Sequence, residues 1–229
     1  DYKDIDHLRA TPGKVVDVFN GKKQTTFSVF IHAPFKEHLA SAEKDKNSTS
    51  IVFQARFKNA SYDTKYACLA IFGGDSDHYS WEIILEKTRR HKNDEKEQAL
   101  DWDIFLAPHH CSWSFFNDRP QSENPDPKET SLEVLDYKRT GGKIIASCKK
   151  ILDEKPNPPH YEAKEEYVKK LDKASDLLNT AVYPKESEPK PIEFIITSGG
   201  PTLSPTKKVG SAIGSAGGAG AASSVVKQG

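Results

Sequence analysis

Two adjacent histidines end an alternating apolar run in DWDIFLAPHHCSWSFF (101–116), where His109 and His110 follow Pro108 and precede a cysteine, a serine and a tryptophan. Imidazoles placed where a strand leaves its sheet are either ordinary loop residues or ligands for a metal ion, because neutral imidazole is the commonest protein ligand. Two further features occupy similar places. Asp75 follows Gly73 and Gly74 at the close of YACLAIFGG (66–74), and His160 follows Pro158 and Pro159 at the opening of a helical pattern. Functional groups in open α/β sheets gather where strands end and loops begin. A carboxylate and imidazoles from neighbouring strand ends make an oxygen-and-nitrogen metal site. The carboxylate can bridge two ions, and an ion acidifies bound water enough to yield hydroxide near neutral pH. Each feature alone has a plainer reading: GGD after a strand is a turn with a helix cap, and a histidine pair is a polar loop.

These residues need strands and helices to hold them. KVVDVF (14–19) and TTFSVFIHAP (25–34) read as strands paired through the Asn20–Gly21 turn, the strongest short hairpin signal. TSIVFQARF (49–57), YACLAIFGG, DWDIFLAP, GKIIASC (142–148) and IEFIIT (192–197) supply further strands, rich in β-branched and aromatic residues. Helical spacing runs through DSDHYSWEIILEKTRR (75–90), with Asp75 or Ser76 placed to cap it, and a short helix through TSLEVLDYK (130–138). HYEAKEEYVKKLDKASDLLNT (160–180) predicts a long amphipathic helix with Tyr167, Val168, Leu171, Ala174, Leu177 and Leu178 on one stripe. Strands first and helices interleaved later predict an α/β protein with a mixed sheet, or two sheets, covered by helices. The expected domain is 1–200, its body running from about Lys14 to Gly200, followed by a flexible Gly/Ala/Ser-rich tail over 201–229. In that tail Gly210, Gly214, Gly218 and Ala222 are spaced four apart, a pattern known from close helix packing; too few large apolar residues accompany it to predict a membrane span.

The 229 residues carry 33 Lys+Arg against 33 Asp+Glu, a balance that gives no sign of a dedicated polyanion binder. Cys68, Cys111 and Cys148 are odd in number and without a CxxC, which argues against a disulfide framework and a cysteine zinc site, and favours a reducing, cytoplasmic setting. The first twenty residues are charged and broken by Pro12 and Gly13, unlike a signal peptide. The chain has no methionine, even at position 1, so the reading leaves open that it is a piece of a longer protein.

In order, strand–GGD–helix–strand–APHH and then Pro-His before a helix resembles the C-terminal half of the metallo-β-lactamase superfamily. The nearest likeness is to the branch that includes the hydrolase domain of bacterial DNA-uptake competence proteins. NSTSIVF (47–53), IFGGDSD (71–77), DIFLAPHHCS (103–112) and NPPHYEAKEEYVKKL (157–171) carry the resemblance, which spans roughly residues 25 to 200. It implies a four-layer αββα sandwich, one or two zinc or manganese ions, and a metal-bound hydroxide that attacks a phosphoester such as a nucleic acid or nucleotide. Asp75 would be the bridging carboxylate. One of His109 and His110 would bind metal while the other steadies the leaving group or phosphate, with Asp75 and His110 as the catalytic pair. Two departures stand out. Cys111 replaces the family glycine after the histidines. The principal ligand cluster, HxHxDH or HxDxDH, is matched only by YKDIDH (2–7), with Asp4, Asp6 and His7 in place and Tyr2 at the first histidine, about forty residues before NSTSIVF. Asp6 and His7 complete the candidate metal ligands if that motif is genuine; otherwise another polypeptide supplies ligands, or the site is metal-free.

Other residues take smaller roles. Asp77 and His78 read as a solvated helix start or as support for Asp75. Trp113, Phe115 and Phe116 either wall a substrate pocket or belong to the core. His32 and His38 read as loop residues, the 86–97 run as a solvated helix end, and Cys111 lacks a base partner in the sequence. Two functions compete: a metal-dependent hydrolase, and a catalytically incomplete scaffold that binds, or is completed by, a protein partner. The compressed front favours the second.

Overall fold

The computed structural model describes residues 10–35, 46–89, 98–153 and 157–205. In chain order the elements are β1 (Val15–Val16), β2 (Val18–Phe19), β3 (Lys22–Lys23), β4 (Phe27–Ala33), β5 (Val52–Phe57), β6 (Cys68–Phe72) and α1 (His78–Arg89). There follow β7 (Trp102–Leu106), α2 (Glu129–Asp136), β8 (Lys138–Ala146), α3 (Tyr161–Lys169), β9 (Leu177–Asn179), β10 (Phe194–Thr197) and β11 (Gly200–Leu203). The Asn20–Gly21 turn forms as expected. Both residues have positive φ, 51° and 71°, the geometry a tight hairpin demands, and they join β2 to β3 with Val18 opposite Lys23. β1 returns against β4, pairing Val15 with Phe30.

Seven strands form one mixed sheet in the order β1-β4-β5-β6-β7-β8-β9. The β4, β5 and β6 pairings are antiparallel; β6, β7, β8 and β9 are parallel neighbours. The protein is therefore α/β with a mixed sheet. Parallel neighbours need crossovers, and α1, α2 and α3 supply the three in turn. Because such crossovers share one hand, successive steps in one direction leave all the helices on the same face. The packing agrees. Trp81 and Ile84 of α1, Leu135 of α2 and Tyr167 of α3 join one buried cluster with Ile71, Phe105 and Ile144 of the sheet. Trp113, Phe115 and Phe116 are in that cluster too, at 1% exposure or less, which resolves their reading as core. The Tyr167 hydroxyl is buried there without a hydrogen-bond partner among the described residues.

The opposite face differs. Ala55, Cys68, Ala70 and Ile104 are buried on it, but Phe53, Phe57, Phe72, Leu106 and Ile145 are only half-buried, and the β10–β11 hairpin lays Phe194 and Ile196 against them. Phe53 and Phe72 stack with centroids 4.7 Å apart. A groove of about 510 Å³ remains between sheet and hairpin.

Three expectations are corrected. The helix expected over 160–180 stops at Lys169, and Leu177 and Leu178 lie in β9 beside Ile144 and Ile145. Tertiary contacts win over helical spacing: Asp172 accepts hydrogen bonds from Lys138 Nζ (2.7 Å) and the Gly141 N–H (3.0 Å), and Asp176 accepts one from Lys143 Nζ (2.7 Å). The last strand pairs with β11, so ordered chain continues past Gly200 to at least Leu203. His32 is a buried strand residue whose Nε2 lies 2.9 Å from the Ala99 carbonyl, because β4 turns that face toward the helix layer. His38, the 90–97 run and the small-residue spacing of 210–222 lie outside the described residues. Among the described residues no helix is long and apolar enough to cross a membrane.

Candidate functional site

The C-terminal ends of β6 and β7 are locked together by a glycine and a proline. A Cβ on Gly73 would stand 2.6 Å from Pro108 Cγ and 3.2 Å from the Leu106 carbonyl, so only glycine lets the GGD turn approach the APHH turn this closely. Gly74 has φ +55°, and its carbonyl accepts the His109 N–H at 2.9 Å. The Asp75 N–H donates to Ser50 Oγ at 3.2 Å, bringing in NSTSIVF. The His160 N–H donates to the Cys111 carbonyl at 2.9 Å, bringing in the Pro-His helix start. All four motifs thus meet at one end of the sheet.

The plainer reading of Asp75 as a helix cap does not hold. Asp77 Oδ1 accepts the Ser80 N–H at 2.8 Å, which makes Asp77 the cap of α1. Ser76 Oγ donates instead to the Gly73 carbonyl at 2.6 Å. Asp75 is left with its carboxylate half-exposed and turned to His110, whose Nε2 stands 3.7 Å from Asp75 Oδ1.

The histidine loop is unusual backbone. His109, His110 and Cys111 have φ of 47°, 57° and 66°, three successive non-glycine residues in the left-handed region. Each costs roughly 1–2 kcal/mol relative to right-handed geometry, and such strain gathers at functional sites. Side chains hold the loop in place. Asn157 Oδ1 accepts from Ser112 Oγ (2.7 Å) and the Trp113 N–H (3.2 Å), Ser114 Oγ donates to Ser112 Oγ (3.0 Å), and His109 Nδ1 lies 3.1 Å from Ser114 Oγ. Cys111 is fully buried, and burial pushes its thiol far above the ordinary range, so it is no nucleophile. It keeps the left-handed turn, with φ of 66°.

His110 has a defined tautomer when neutral. Its Nδ1 is 2.8 Å from the Ser147 carbonyl, and a carbonyl only accepts, so Nδ1 carries the hydrogen and Nε2 the lone pair. That lone pair and the Asp75 carboxylate face one another across 3.7 Å. Two electron-rich atoms so placed, each about half exposed, can share a metal cation. Adjacent ligands of a tetrahedral ion with bonds of about 2.0–2.1 Å stand about 3.3–3.4 Å apart, close to the separation here. The pair therefore fits one side of a coordination shell, with the Nδ1–carbonyl bond as the usual outer support.

The remaining candidates divide. His109 is turned to Ser114 rather than to Asp75, and the His160 ring packs 5.8 Å from Trp113 with Nδ1 3.0 Å from Glu162 Oε2. Asp6 and His7 lie outside the described residues. Among the described residues no group of three or more His, Cys, Asp or Glu is placed to hold an ion. The sequence reading did not single out Ser50, Ser112, Ser114 or Asn157. All four lie inside the stretches around the motifs, but nothing in their residue types set them apart. In comparisons with protein-family models, curated proteins and solved structures, the chain matches none.

Proposed function

We propose that this chain is a metal-dependent hydrolase acting on a phosphoester, a nucleic acid or nucleotide, built on a metallo-β-lactamase-like scaffold. The observation that carries the reading is the His110 Nε2 lone pair facing Asp75 Oδ1 at 3.7 Å, oriented by the Ser147 carbonyl. Asp75 and His110 would supply two ligands, and Asp6 and His7 are the candidates for the others. A zinc or manganese ion held there would contribute Lewis acidity and an acidified water. Asp75 contributes negative charge that raises affinity for the cation, Ser50 fixes the backbone that carries it, and His110 presents nitrogen in the ligating tautomer. His109, held by Ser114, is the residue left to meet a substrate phosphate. The four-layer sandwich belongs to this proposal: one helix layer and one sheet are in hand, and a second sheet would cover the half-buried phenylalanines.

That partly covered face favours a second reading, a scaffold completed by a partner that brings both a further layer and further ligands. Metal analysis with a phosphodiester assay separates the two. Near-stoichiometric zinc or manganese, lost together with hydrolysis of bis(p-nitrophenyl) phosphate in Asp75→Ala and His110→Ala, is the outcome expected of the enzyme. Protein that takes up no metal, with a melting temperature indifferent to chelator, would leave the scaffold.

A further inference from the structure

The opposite end of β7 carries a second site. Loop 63–67, the start of β8 and the β10–β11 turn enclose a cleft of about 800 Å³, within the range of about 300–1,000 Å³ usual for small-molecule sites. Asp103 lies at its floor near the N-terminal end of β7, whereas Asp75 and His110 lie beyond the C-terminal end, so the length of a five-residue strand, about 13 Å, separates the two.

The charges lining the cleft leave a positive remainder. Asp63 Oδ2 accepts the Ala60 N–H at 2.8 Å. Asp103 Oδ2 accepts both the Leu69 N–H (2.8 Å) and Arg139 Nη1 (2.9 Å). Both acids are thus engaged. Lys138 is held by Asp172 at 2.7 Å. Arg139 makes its two contacts, to Asp103 and to the Tyr66 carbonyl at 3.3 Å, through one nitrogen; a guanidinium has five donors in a fixed fork. Lys65 is exposed and has no hydrogen bond or ion pair among the described residues. Hydroxyls of Thr64 and Ser198 share the lining. Side chains do not obstruct the wall. A Cβ on Gly141 would meet nothing within 4 Å, so there is room beside it although its N–H is taken by Asp172, and Ser198 and Gly199 form the β10–β11 turn. A lysine ammonium, the free edge of an arginine fork and two hydroxyls, beside carboxylates already engaged by Ala60, Leu69 and Arg139, make a donor-rich set, the chemistry that receives phosphate oxygens.

We infer that this cleft binds the phosphate group of a small phosphorylated molecule through Lys65 and Arg139. The inference stands apart from the metal reading, since no residue is shared. Pyrophosphate titrated into the full chain, followed by amide shifts and calorimetry, tests it. Saturable binding is expected, with shifts centred on Thr64, Lys65, Ser198 and Gly199. Lys65→Glu should weaken it at least tenfold with an unchanged melting temperature, and Arg139→Lys, which keeps the charge beside Asp103 but loses the fork, severalfold. The exposed Lys14→Glu serves as control for general charge. Absence of saturation, equal weakening by Lys14→Glu, or shifts centred on Asp75 and His110 would each overturn the assignment.

Discussion

Gly73 joins the two strand ends by having no side chain. Its missing Cβ would lie 2.6 Å from a proline ring that cannot swing away, so Gly73→Ala is expected to cost about 1–3 kcal/mol, the usual range for overpacking. Urea denaturation measures that cost, and the same variant should bind metal less well if Asp75 and His110 must keep their spacing. The cysteines give a pH-dependent outcome. Burial pushes the Cys148 thiol up to about 11, against the lowering effect of its Asn179 hydrogen bond, and pushes Cys68 up to about 12. Only thiolate alkylates, so a shift from 9.0 to about 11 lowers the reactive fraction of Cys148 about a hundredfold at pH 8. Peptide mapping after iodoacetamide should show Cys148 reacting slowly, its rate rising about tenfold per pH unit toward pH 11, with Cys68 and Cys111 unlabelled in the native protein. At this scale neither the imidazole pair nor the GGD turn singled out Asp75 and His110 alone; their order along the chain did, and the structure brings His110 Nε2 to 3.7 Å from Asp75 Oδ1. Ser50 and Asn157 were illegible because serine and asparagine occur in every loop, and only the fold shows which of them holds a strained turn.

The entry to α1 shows how two residues of offset separate an acid that caps the helix from one that does not. Asp77 receives the Ser80 N–H, so Asp77→Ala should cost about 1 kcal/mol, within the 0.5–2 kcal/mol typical of a lost N-cap. Asp75 makes only an exposed contact with His110, a class of ion pair that contributes about 0–1 kcal/mol, so Asp75→Ala should leave the denaturation midpoint nearly unmoved. Equal losses from the two variants would return Asp75 to the helix. Sequence spacing placed a cap in this stretch but not at the right acid, since Asp75, Ser76 and Asp77 are all good caps. β9 failed for a different reason. Three residues are too few to show a period of two, and Leu177 and Leu178 also satisfy the helical stripe of Tyr167 and Ala174. Long-range contacts decided it: Asp172 and Asp176 tie the segment to Lys138, Gly141 and Lys143 of β8 before a helix could continue.

For the molecule as a whole, the alternation of strands with helices made the α/β class readable, because each parallel step needs a crossover. The β10–β11 hairpin was hidden. Pro201 sits opposite Ile196 in an isolated two-stranded sheet, where a strand can dispense with a backbone N–H, yet the chain from Pro201 onward read as a tail. Among the described residues this hairpin, with Phe19 packed on Phe27, covers the second sheet face, and the two faces should contribute very unequally to stability. Phe105 is fully buried in the helix-side cluster, touching the rings of Trp81, Trp102, Phe115 and Tyr167; its truncation to alanine should cost about 3–5 kcal/mol. Phe194 and Ile196 are half-buried against Phe57, Phe72 and Ile145. Full burial of such a side chain contributes about 1.5–3 kcal/mol, so replacing both with alanine should cost only about 2–3 kcal/mol in total. Urea denaturation compares them directly. The double variant should unfold in one transition at a modestly lower midpoint and bind more of an apolar dye such as ANS in the native state, since the phenylalanines beneath become accessible. A loss as large as that of Phe105→Ala would mean that the hairpin face is a second full core, leaving no room there for another sheet layer.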